Sequence, residues 1–183
     1  MPDDSTTIQI RVERTSQLIN MLDPFPFRER DLDPQAEDYI VGWARELPRT
    51  RPISIVVHLP EDEARSASAQ AFPATLHHFF SERSQAVSRE LKELLRIGRL
   101  SLLVGLAVLA LCMLLAQIVS GRFEGTFGSF VEESLIIVGW VANWRPLEIF
   151  LYDWWPLVRQ RNLYRRLAEA EVTITGQPGA PQD

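Results

Sequence analysis

The chain holds one cysteine and one lysine, and it lacks the features that would mark a secreted or catalytic protein. Cys112 stands alone, so neither a disulfide framework nor a cysteine-based zinc site can be assembled within one chain. Its apolar neighbours give it the character of a buried, inert thiol. Lys92 is the only lysine among 19 basic residues, a compositional bias rather than a chemical signal. The opening Met-Pro-Asp-Asp-Ser has no basic stretch followed by an apolar one, so no cleavable signal peptide is expected. Positive charge is scarce as well. Residues 1–65 carry 13 acidic side chains against 8 basic ones, the reverse of a nucleic-acid footprint. No nucleophile elbow, phosphate loop, dinucleotide fingerprint or paired His-Glu zinc motif occurs. The expectation is therefore a protein with no catalytic activity, no cofactor and no bound metal.

What the chain does have is a long apolar run. Residues 100–121 include no charged side chain. As a helix this stretch spans roughly 33 Å, enough to cross the hydrocarbon core of a bilayer. A second stretch, residues 134–144, is uncharged but too short to span alone. Continuing it through Arg145, Glu148 and Tyr152 reaches spanning length, with two charges inside it. The sequence reads as an α+β membrane protein: a two-helix transmembrane hairpin inserted in a small cytoplasmic domain with a three-stranded sheet.

Taken in order, residues 6–13 alternate Ile8, Ile10 and Val12 with polar partners, which predicts a half-buried strand. Leu18 to Leu22 reads as a short helical turn, ended by the prolines at 24 and 26. Asp33-Pro34 is an N-cap followed by proline at the first helical position. The helix it opens runs to about Leu47, with Ala36, Tyr39, Ile40, Trp43, Ala44 and Leu47 assigned to its apolar face. Residues 52–59 form a second strand, continuous enough in apolar character to be covered on both faces. Pro73 opens a long helix that runs straight into the apolar span. A glycine-rich turn follows, then the second apolar helix, a basic helix over residues 159–170, and a strand at 171–175. The expected organisation is a cytoplasmic α/β part (1–72), a long cytoplasmic helix (73–99), a first transmembrane helix (100–121) and a periplasmic turn (122–133). A second transmembrane or interfacial helix (134–155) and a cytoplasmic basic helix, strand and tail (156–183) complete it.

Charge sets the expected threading. Arg83, Arg89, Lys92, Arg96 and Arg99 precede the first span, and Arg159, Arg161, Arg165 and Arg166 follow the second. The positive-inside rule then places both termini in the cytoplasm. Tyr152, Trp154 and Trp155 fall at the inner interface as an aromatic belt beside Trp144, and Phe123, Phe127 and Phe130 fall at the outer one. All three strands end on one side and can join in one sheet. Three short strands are near the lower limit for independent stability, and an open edge invites another copy, so a homo-oligomer is expected.

The sharpest candidates for a functional site are Arg145 and Glu148, charged groups at membrane depth spaced to neutralise one another on a helix. They either line a polar seam between subunits or sit at the inner interface, with Pro146 kinking the helix. His77 and His78 are weak candidates, because adjacent histidines on a helix point too far apart to chelate one metal from a single chain. Asp31, Asp33, Glu37 and Asp38 form an acidic group, of which Asp33 is already used as a cap. Ser101/Gly105 and Ala116/Ser120 are small-residue pairs that let helices approach closely.

Over Glu133-Ser-Leu-Ile-Ile-Val-Gly-Trp-Val-Ala-Asn-Trp-Arg-Pro-Leu-Glu-Ile-Phe-Leu-Tyr-Asp-Trp-Trp-Pro, and Phe27-Arg-Glu-Arg-Asp-Leu-Asp-Pro upstream, the chain resembles a family of small uncharacterised bacterial inner-membrane proteins with two transmembrane helices. That resemblance implies a location and no activity. The layout is also similar to that of pentameric two-helix divalent-cation channels, but their Gly-Met-Asn signature is missing where Gln117-Ile-Val-Ser-Gly stands. The reading that results is a homo-oligomeric membrane scaffold or docking protein, with the bilayer and a cytoplasmic protein as partners and no nucleic acid. The alternative is a small oligomeric channel or transport component with Arg145, Glu148 and Gln117 facing a central path. A membrane enzyme built on His77, His78 and the acidic group is the remote third.

Overall fold

The computed structural model describes residues 6–20, 31–122 and 125–177, leaving aside the side chains of Ser120 and Phe127. It combines helices with a small parallel sheet. By its contacts the chain falls into two units, Met1–Val87 with Arg159–Asp183, and Ser88–Val158.

The first unit holds three strands, β1 (Thr7–Arg11), β2 (Ser54–Pro60) and β3 (Glu171–Gln177), in the order β1-β2-β3 with both pairings parallel. Ile55 pairs with Ile8 on one side and Val172 on the other, and Val57 with Ile10 and Ile174, so these six side chains share a face. Ile8, Ile10, Ile55, Val57 and Leu59 are buried. The two steps across the sheet go the same way, so right-handed crossovers put the connecting helices on that same face. Phe72, Leu76, Phe80, Tyr164 and Leu167 complete the core, with Phe80 and Tyr164 stacked at 6.0 Å. The other face carries Gln9, Arg11 and Thr173 in the open and Ser54, Val56 and His58 half-buried. The second strand is therefore covered on one face, not two: its burial alternates residue by residue.

α1 (Pro34–Glu46) begins where Asp33 accepts a hydrogen bond from Gln35 N–H at 2.9 Å. Its buried face is Ile40, Val41 and Ala44, whereas Tyr39 and Trp43 are exposed. That corrects the apolar face read from the pattern, which took the two aromatics as core. The helical turn expected over 18–22 forms earlier, as a 3-10 turn at Thr15–Leu18, and Ile19 then bridges to Leu32. Met21 and Leu22 lie outside the described residues. A short helix, α2 (Glu61–Ala64), follows β2, and Thr15 donates from both N–H and Oγ1 to Glu63 at 3.0 Å.

α3 (Ala67–Ser120) starts six residues before Pro73, because Ser66 Oγ accepts from Ala69 N–H and supplies the cap. α4 (Thr126–Ala142) likewise begins well before residue 134. α5 (Trp144–Glu148), a π turn (Ile149–Asp153) and α6 (Trp154–Ala168) follow. Two helical runs, Ala67–Val119 and Gly128–Ala168, are long and apolar enough to cross a membrane. Only 17% and 22% of their most apolar windows are buried within the chain.

Candidate functional site

In the second unit α3 and the α4–α5 run are antiparallel and pack through small residues. A Cβ on Gly98 would lie 2.8 Å from Ile149 Cγ2, one on Gly105 would lie 2.7 Å from Asn143 Oδ1, and one on Gly139 would lie 2.7 Å from Leu109 Cδ1. At Gly105 a second contact, 3.0 Å from the Ala142 carbonyl, is to backbone and cannot yield easily. Asn143 donates through Nδ2 to the Gly105 carbonyl (3.1 Å) and the Gly139 carbonyl (3.0 Å), which fixes its amide orientation. Its Oδ1 is buried against Gly105 without a partner. Pro146, in the next turn, has no N–H to return to Ala142, and the helix is interrupted at Asn143. Sequence reasoning missed Asn143, although its place three residues before a proline in an apolar helix is a readable signal.

Asn143, Pro146 and Ile149 are the buried positions of this segment. Arg145 is exposed and Glu148 half-buried, one position away from those buried residues. The ion pair expected from their spacing is made, with Nη1 of Arg145 3.1 Å from Oε2 of Glu148. Asp153 joins it, its Oδ2 3.2 Å from the same nitrogen, and Trp144 Nε1–H donates to the other Glu148 oxygen at 3.0 Å. The guanidinium thus sits between two carboxylates, leaving the cluster with one net negative charge. The side chains are 63%, 42% and 34% exposed for Arg145, Glu148 and Asp153, respectively. Around them Trp144, Tyr152 and Trp155 are exposed, and Trp154 Nε1–H donates to the Phe150 carbonyl inside the π turn. Phe130 is exposed; Phe123 and the Phe127 side chain fall outside the described residues.

The remaining candidates are absorbed by the first unit. His77 Nε2 lies 2.8 Å from the Ala170 carbonyl, so that nitrogen carries the proton and the ring ties α3 to the start of β3. His78 faces Glu82 one turn on at 3.7 Å. Glu37 pairs with Arg83, whose guanidinium also stacks over Phe79. Among the described residues no group of three or more His, Cys, Asp or Glu could hold a metal ion. Ser101 is half-buried, while Gly105, Cys112 and Ala116 are buried on one side of α3. Comparison with protein-family models, curated proteins and solved structures finds no match, so no relative's activity can be carried to this chain.

Proposed function

We propose that this chain is an integral membrane protein of the bacterial inner membrane, a homo-oligomeric scaffold or docking module with no catalytic role. The observation that supports it is the outward surface of residues 88–158. Leu100, Leu103, Leu106, Leu111, Leu114 and Ile118 on α3, and Ile137, Trp140 and Val141 on α4, are all exposed. An apolar surface of that extent on one element needs lipid or protein around it. The antiparallel hairpin returns the chain to the end it started from, so residues 6–87 and 159–177 belong on one side of the bilayer. The Arg-rich flanks make that side the cytoplasm. Tyr152, Trp154 and Trp155 then mark the inner headgroup layer, and the Arg145–Glu148–Asp153 cluster sits near it, one cation shared by two carboxylates.

Two measurements test this. The protein is expected to stay in the membrane pellet after an alkaline carbonate wash. In a Cys112→Ala background, Thr126→Cys is expected to react with a membrane-impermeant maleimide in intact cells, and Ser68→Cys only after permeabilisation. Extraction by carbonate, or equal labelling of both thiols in intact cells, refutes the hairpin.

A second reading is favoured by one feature: the charged cluster is partly exposed, with Arg145 the most accessible of its three side chains to a neighbouring copy. An oligomer that brings these clusters together lines a polar path, and proteoliposomes then show ion flux that Arg145→Leu abolishes with assembly intact. Absence of flux together with a co-purifying cytoplasmic protein supports the scaffold.

A further inference from the structure

The two edges of the sheet differ. In a parallel ladder a residue's N–H and C=O point to the same side, and successive residues alternate sides. On β1, Val12 N–H bonds to the His58 carbonyl, so the even residues face β2 and Gln9 faces outward. The outward Gln9 carbonyl accepts a hydrogen bond from Tyr39 Oη at 3.2 Å, so α1 closes that edge. On β3, Glu171 N–H bonds to the Ile53 carbonyl, so the odd residues face β2. Val172, Ile174 and Gly176 therefore aim their N–H and C=O groups off the sheet, and no hydrogen bond to them from another described element is recorded.

We infer that this β3 edge pairs antiparallel with β3 of a second copy, about a two-fold axis through Ile174, to give one continuous six-stranded sheet. The inference rests on the homo-oligomer reading and names its interface. Three features of the strand select a second copy as the occupant. First, the register places 172 opposite 176 of the partner and 174 opposite 174, so all three outward residues form hydrogen-bonded pairs. Second, the side chains agree with that register on both faces. Half-buried Ile174 meets its own copy and Val172 meets Gly176, over which Glu61 and Ala64 of α2 pack, while Thr173 meets Thr175 on the exposed face. Third, the one charged residue of the strand, Glu171, lies opposite neutral Gln177, so two-fold pairing sets no like charges against each other. The chain's own tail is a poor substitute, because Pro178 and Pro181 remove donors from it.

Cysteine pairing tests this in membranes, in a Cys112→Ala background. Across a hydrogen-bonded antiparallel pair the Cα atoms are about 5.5 Å apart, and across a non-hydrogen-bonded pair about 4.5 Å, both within disulfide reach. Ile174→Cys is therefore expected to form a disulfide dimer on mild oxidation. Thr173→Cys and Thr175→Cys, both at exposed sites that do not disturb the core, are expected to cross-link when co-expressed and not when expressed singly. Efficient linkage of Thr173→Cys to itself would mean another register and overturn the inference. The mass of the assembly in nanodiscs separates the two levels of the argument. Several copies with none of these cross-links overturns the β3 interface and leaves the homo-oligomer standing, whereas a single copy overturns both.

Discussion

Gly105 and Gly42 are both glycines within helices, and they should respond to the same substitution with opposite signs. At Gly105 a methyl group meets Asn143 Oδ1 at 2.7 Å and a backbone oxygen at 3.0 Å. Gly105→Ala is expected to destabilise the helical unit by about 1–3 kcal/mol, as overpacking does. At Gly42 nothing lies within 4 Å, so Gly42→Ala should stabilise α1 by about 1 kcal/mol through helix propensity. Thermal unfolding in detergent reads both. Asn143→Leu removes two interhelical or intrahelical donations and puts a branched side chain against Gly105; a loss of about 1–2 kcal/mol is expected in the same assay. Gly105 was legible as half of the Ser101/Gly105 small-residue pair, whereas Asn143, which meets it, went unread because its partner lies on the other helix. The Arg145–Glu148 pair was legible because both partners lie on one helix. Asp153 was not, since it reaches Arg145 only after a π turn has changed the rotation per residue.

Among the elements, the segment from α5 through the π turn carries charge on an otherwise apolar run, and Arg145 is the one cation set between its two carboxylates. Arg145→Leu leaves Glu148 and Asp153 facing each other without their shared cation. It is expected to lower the amount of carbonate-resistant protein several-fold and cost about 1–3 kcal/mol of stability. Arg145→Lys restores the charge but not a fork that reaches two carboxylates, so recovery should be partial. Helix positions were largely readable: Asp33-Pro34 marked the start of α1, and the uncharged run marked the body of α3. Which side of α1 goes inward was not. Tyr39 and Trp43 are apolar enough to pass for core, yet the Tyr39 hydroxyl is needed at the strand edge, and that draws its ring to the surface.

For the molecule as a whole, alternation over residues 6–13, the apolar run at 52–59 and the short strand pattern at 171–175 announced a sheet, and the strand positions were visible to within a few residues. That both pairings are parallel was not visible, because the register is set by the helices packed on one face rather than by any turn. β2 sits in the middle, with β1 supplied from before it and β3 from far beyond it. A chain stopped at Ala170 keeps both apolar runs but leaves β2 with one neighbour. On the membrane reading proposed above, it is expected to remain in the membrane pellet while the unit that holds the sheet becomes sensitive to limited proteolysis. The same arrangement imposes an order on synthesis. The ribosome delivers β3 only after both apolar runs have been made. Until then the middle strand waits with a bare flank, and the sheet closes only when that distant strand arrives.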